Sequence, residues 1–174
     1  MTRIRARHHR DSHSAYPATP AAPTLAYMTE QTANVSTDVD NAHTVEVFLS
    51  ALQDQDLDTA AAQLDDNLVY ENVGYPTIRG RARAVKLFRG LQRPNLGFEA
   101  KIHRIAVNGA SVLTERTDVL VIGPVRMQFW VCGVFEVHNG RITLWRDYFD
   151  MFDMLKGTVR GLVGAVVPAL RPRL

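Results

Sequence analysis

Arg116, Asp118 and Asp147 are charged residues inside stretches otherwise built from Val, Leu, Ile, Phe and Trp. If residues 111–122 form a strand, alternation with period 2 puts Arg116 and Asp118 on one face with Val112, Thr114, Leu120 and Ile122. The same count puts Asp147 on a face with Trp145 and Phe149. Burying those faces carries one cation and two carboxylates into an oily wall, where such groups are seldom left unpaired. An upstream segment, residues 68–74, places Tyr70 and Asn72 on one face with Leu68. Taken singly, each has an ordinary structural explanation. Arg116 and Asp118 make a salt bridge, Asp147 is a core carboxylate satisfied by Arg116, and Tyr70 packs with its hydroxyl in water. Together, an Asp–Arg–Asp trio with a tyrosine and an asparagine has the parts to position and activate a water molecule.

The elements that must hold these residues begin with helices. Val45, Phe48, Leu49 and Leu52 recur at helical spacing, with Asn41 as the expected N-cap. Asp54-Gln55-Asp56 opens a second short helix through Ala60, Ala61 and Leu64, which Asp65-Asp66-Asn67 breaks. After the strand at 68–74, Pro76 and Gly80 bracket a turn, and a third helix over 81–91 turns Ala84, Val85, Phe88 and Leu91 inward, before a loop over 92–97. Four strands follow, over 98–107, 111–122, 125–138 and 141–149. Asn108-Gly109 and Asn139-Gly140 are two-residue hairpin signals, and Gly123-Pro124 marks the turn between them. Helices followed by an antiparallel meander predict an α+β domain with helices against one curved sheet, a shape that makes a pocket. The last segment, residues 151–167, is an apolar helix with Asp150 as its cap, weakened by Gly157, Gly161 and Gly164. It closes the core, forms a dimer interface, lids an apolar pocket or touches a membrane surface.

Length and charge narrow the function classes. A chain of 174 residues suits one domain, expected over 41–167, with a disordered extension over 1–40 and a tail over 168–174. Four arginines against one aspartate leave +3 on residues 1–27, and so −1 on the rest of a chain whose net charge is +2. The folded part therefore carries no nucleic-acid footprint. Met28 is a second candidate start, and the His8-His9-Arg10 run with His13 is at most an adventitious metal binder. A single cysteine, Cys132, excludes an intrachain disulfide and a Cys-rich zinc site, and is expected to pack mid-strand. No segment approaches a membrane span or a secretory h-region, so a cytoplasmic location is expected.

The segments Val69-Tyr70-Glu71-Asn72, Leu113-Thr114-Glu115-Arg116-Thr117-Asp118, Gly133-Val134-Phe135-Glu136 and the run from Gly140 through Trp145-Arg146-Asp147-Tyr148-Phe149-Asp150 resemble the limonene-1,2-epoxide hydrolase family over residues 41–156. The resemblance implies a nuclear-transport-factor-like, cystatin-like cone: a curved, mostly antiparallel mixed sheet with helices packed against it around an apolar pocket. It also implies a homodimer and one-step hydrolysis of an apolar epoxide to a vicinal diol, with no covalent intermediate, metal or cofactor. In the implied roles Asp147 is the general base, Tyr70 and Asn72 hold the water, Asp118 is the general acid and Arg116 bridges and orients the two carboxyls. Terpene-, aromatic- or lipid/sterol-like epoxides suit such a pocket. Two other readings stand beside this one: a ketosteroid-isomerase-like proton-transfer enzyme, and a non-catalytic module that binds apolar ligands. Arg146 is expected to face the opposite side of the sheet, and Asp150 and Asp153 to serve the start of the last helix.

Overall fold

The meander forms as its turns require. Asn139 (φ 51°) and Gly140 (φ 70°) both take the left-handed conformation of a two-residue hairpin. They join β5 (Val125–His138) to β6 (Arg141–Tyr148), and β3 (Leu96–Asn108) and β4 (Ser111–Ile122) precede them. Asn108 pairs with Ser111, so the first turn is Gly109-Ala110, one residue later than expected. β1 (Leu64–Asn72) runs parallel to β6, and the short β2 (Ile78–Arg79) adds at its outer edge. The result is one mixed six-stranded sheet in the order β2-β1-β6-β5-β4-β3. The computed structural model describes residues 25–174, so the expectations on residues 1–24, including the His8, His9 and His13 cluster, lie outside the described residues.

Three helices cover the inner face: α1 (Leu25–Gln53), α2 (Leu57–Ala62) and α3 (Arg81–Phe88), the last continued by a 3-10 turn over Arg89–Gln92. Val45, Phe48, Leu49 and Leu52 of α1 pack with Ala60, Ala84, Phe88, Phe135, Ile142 and Trp145 in one core. Two sequence expectations change here. Asn41 does not cap α1, because the boundary expected at residue 40 falls inside the helix. Instead Asn41 is buried and its amide donates to Gly109 O (2.9 Å), while Asp38 accepts from Gly109 N (3.1 Å). Pinning to the hairpin turn outweighs the local capping signal. Leu64 leaves α2 and opens β1, because it is fully buried against Ile142, and Ile142 N donates to Gln63 O (2.8 Å).

A fourth helix, α4 (Met151–Val166), lies along an open strand edge. β6 pairs with β5 only from Cys132 onward, so among the described residues no strand lies beyond residues 125–131 of β5 on that side. Gly157 and Gly161 face that edge so closely that a Cβ on either would collide with the carbonyl oxygens of Gln128 and Arg126. Asp153 accepts from Trp130 N (3.1 Å), and Asp150 caps the helix by accepting from Phe152 N (2.7 Å) and Asp153 N (2.9 Å). The helix thus presents glycine inward and leaves Phe152, Leu155, Val159, Leu162 and Val166 exposed. No helix among the described residues is long and apolar enough to cross a membrane.

Candidate active site

Strand register assembles the site. The parallel β1–β6 pair sets Tyr70 opposite Trp145 and Asn72 opposite Asp147. Asp147 lies opposite Gly133, and Gly133 opposite Thr114. Asn72, Asp147, Gly133 and Thr114 therefore form one row across β1, β6, β5 and β4 on the inner face. Arg116 stands two residues along β4 from Thr114, on the same face, and is 0% exposed. Asp118 follows on that face and is also buried, whereas Ile122 at the strand's end is 52% exposed.

The guanidinium has a partner on every nitrogen. Nη2 donates to Asp147 Oδ2 (2.5 Å), Nε to both oxygens of Asp118 (2.9 and 3.2 Å), and Nη1 to Thr114 Oγ1 (3.1 Å). It reaches Asp147 by lying over Gly133, where any Cβ would meet Arg116 and come within 2.6 Å of Thr114 Oγ1 and 3.0 Å of Asp147 Oδ1. On the far side of Asp147, Trp145 Nε1 donates to Oδ1 (2.8 Å). Asn72 Nδ2 donates to the Tyr70 hydroxyl (2.7 Å). The five expected residues are thus brought together, with Thr114, Gly133 and Trp145 added. A glycine inside an apolar strand signals close approach by another group, so Gly133 was detectable in the sequence. The other two looked like wall.

Tyr70, Asn72, Asp118, Trp145 and Asp147 line a cavity of about 340 Å³ whose remaining surface is mainly Leu, Phe, Val and Met side chains from α1, α3, β3, β4, β5 and α4. Burial pushes the Asp118 carboxyl up to about 6, against the pull of Arg116. Burial raises Asp147 as well, opposed by Arg116 and by the hydrogen bond from Trp145. Burial and the nearby Asp147 hold the Tyr70 phenol protonated, and the two carboxyls keep Arg116 charged despite its burial. One cation flanked by two carboxyls in an apolar wall is neutral when the pair holds a single proton, which burial favours.

Three residues lie away from this cluster. Arg146 faces the other side of the sheet, as expected, and pairs with Glu71 (2.5 Å). Cys132 does not pack as expected. It alternates with the inward Val131 and Gly133, so it is exposed on the outer face. Asp153 serves the β5 edge and pairs with Lys156 (3.1 Å). Among the described residues no three His, Cys, Asp or Glu side chains gather in a way that would hold a metal ion.

Residues 39–160 match the family described as the limonene-1,2-epoxide hydrolase catalytic domain. Epoxide hydrolase EphG of Mycobacterium tuberculosis is 57% identical over 150 residues, which span 86% of this chain and 100% of that protein. A solved M. tuberculosis LEH-like epoxide hydrolase superposes with a TM-score of 0.76 at 60% identity, covering 79% of this chain and 97% of that one. An NTF2-like protein of Burkholderia pseudomallei, at 18% identity and a TM-score of 0.59 over 68% of this chain and 97% of its own, shares the fold alone. The chain belongs to the limonene-1,2-epoxide hydrolase family.

Proposed function

We propose that the protein adds water to an apolar epoxide in one step, giving a vicinal diol. The observation that carries this reading is the unequal hydrogen bonding of two carboxyls that share one guanidinium beside an apolar cavity. Asp147 accepts from Arg116 and Trp145, whereas among the described residues Asp118 accepts from Arg116 alone. Donors favour the ionised form, so the single proton of the pair belongs on Asp118. Asp147 is then the base and Asp118 the acid.

A water held by Tyr70, Asn72 and Asp147 passes a proton to Asp147 as its oxygen bonds to one epoxide carbon. The C–O bond at that carbon breaks, and Asp118 gives its proton to the departing oxygen. Both hydroxyls of the diol are then complete, and the pair has moved its proton from Asp118 to Asp147. Return of that proton resets the site. Acid and base assistance each contribute about 10²–10⁴-fold. The chemistry uses these side chains and water, with Arg116 keeping the pair at one proton and a fixed separation. A cavity of about 340 Å³ lined by Leu87, Phe88, Leu91, Phe98, Phe129, Phe149 and Met154 supports a terpene-, aromatic- or lipid/sterol-like substrate.

The test is hydrolysis of apolar epoxides in ¹⁸O-labelled water with enzyme in excess. One label in the first-turnover diol is expected. Unlabelled first-turnover diol would mean that an enzyme carboxylate attacked first, and an isomerised product with no added oxygen would point to proton transfer alone. Asp147→Asn is expected to lower turnover by at least 10²-fold with the fold retained.

The outer stripe of α4 supports a homodimer. Phe152, Leu155, Val159, Leu162 and Val166 are each more than half exposed and recur every three or four residues. The stripe is nearly symmetric about Val159. An antiparallel second copy lays the large Phe152 of one chain beside the small Val166 of the other, as a two-fold contact requires.

A further inference from the structure

Arg116 alone does not make Asp147 the ionised member of the pair, because it donates to both carboxyls, at 2.5 Å on one side and 2.9 and 3.2 Å on the other. The asymmetry is supplied by Trp145, which is 4% exposed and stands two residues before Asp147 on the same strand face. Its ring is fixed by Tyr70, stacked at 4.3 Å and 28°, by Phe135, stacked at 5.9 Å and 12°, and by the edge contact of Phe48 at 5.0 Å and 82°. That packing leaves the indole N–H aimed at Asp147 Oδ1, 2.8 Å away. An indole N–H is a donor only, and its bond is stronger to a carboxylate than to a neutral carboxyl. We propose that Trp145 is a positioning residue whose N–H decides which carboxyl of the pair acts as the base.

This inference rests on the reading of Asp147 as base and Asp118 as acid. Asp147 is faced by Arg116 and Asp118 from β4, by Tyr70 and Asn72 from β1, and by Trp145 from its own strand, while Gly133 of β5 brings no side chain. Without the indole N–H, Arg116 lies between two nearly equivalent carboxyls. The shared proton then spends part of its time on Asp147, where it blocks the base and leaves the departing oxygen without an acid. The Tyr70 ring, stacked on the same indole, ties the water-holding pair to this choice.

Two variants separate the donor from the packing. Trp145→Phe shortens the ring system, and replacement of Trp145 by 3-benzothienylalanine keeps its size while sulfur takes the place of the N–H. With limonene 1,2-epoxide as the probe, kcat is expected to fall about tenfold or more with KM within about twofold. The acid limb of the kcat/KM profile is expected to move about one unit to higher pH, since one unit corresponds to a tenfold change in protonation. The benzothienyl variant carries the test if Trp145→Phe does not fold. A folded variant with unchanged kcat and acid limb overturns the proposal. So does one with a lower Tm and slower turnover but an unmoved acid limb, the signature of packing alone. Failure of the underlying reading looks different: Asp147→Asn then turns over normally, whatever Trp145 does.

Discussion

At the residue scale, the proposed mechanism depends on the protonation of one buried carboxyl, and this sets a sign that can be measured. An unfolded aspartate titrates near about 3.9, whereas burial holds folded Asp118 at about 6. The folded state therefore binds this proton more tightly than the unfolded chain does. Its contribution is fully present below about pH 4 and is lost as pH rises through about 6, amounting to about 3 kcal/mol for a shift of about two units. Urea unfolding of the protein and of Asp118→Asn across pH 4 to 7 reads this contribution. The parent chain is expected to lose stability relative to the variant over that window, and parallel curves would count against a raised pKa. Because Asp118 is the proposed acid, kcat/KM is also expected to decline as pH passes about 6. Which residues reveal themselves in sequence follows from the same physics. Arg116, Asp118 and Asp147 stand out because charge on an apolar strand face is costly. Gly133 signals only that something approaches closely, not that the Arg116 side chain of the neighbouring strand lies over it, and Trp145 gives no sign, because the packing of its ring decides that its N–H meets Asp147.

At the element scale, α4 shows how a local weakness becomes a tertiary fit. Glycines inside a helix cost about 1 kcal/mol each relative to alanine, and in the sequence they read only as weakness. In the fold they are what lets the helix lie against the carbonyls of Gln128 and Arg126. Gly157→Ala and Gly161→Ala thus set two effects in opposition, since helix propensity favours alanine and close approach forbids it. Overlap with backbone wins over a gain of about 1 kcal/mol, because overpacking costs about 1–3 kcal/mol and the carbonyls cannot rotate away. Each substitution is expected to lower Tm, and an unchanged or raised Tm would show that the helix shifts freely on its edge. Met154 of α4 lines the cavity, so a displaced helix also opens the site. The same tension explains the misread boundaries. Local pattern alone points Leu64 to a helix end and Asn41 to a cap, but pairing with Ile142 and hydrogen bonding to Gly109 place them elsewhere. The strands over 111–122 and 125–138 were legible to the residue because turn chemistry fixes both of their ends.

At the scale of the whole molecule, the exposed stripe on α4 predicts association. Val159 lies at its centre and is 55% exposed, so Val159→Glu disturbs little within one chain. Two like charges meeting on a two-fold axis oppose the contact. Sedimentation is expected to find the parent chain dimeric and this variant monomeric at the same concentration, whereas identical behaviour of the two would move the interface to another surface. The sheet carries a second consequence, one of timing. Arg116 and Asp118 ride on β4 and Asp147 on β6, the two strands that flank β5, and all three strands are joined by two-residue turns and pair with their neighbours in sequence. Tyr70 and Asn72 ride on β1, which must find β6 across about 75 residues of chain, the separation between Glu71 and Arg146. Closing so long a loop is slow compared with zipping a hairpin. A folding chain is therefore expected to assemble Arg116, Asp118 and Asp147 before it adds Tyr70 and Asn72, so that the proposed catalyst is complete only when its most distant segments meet.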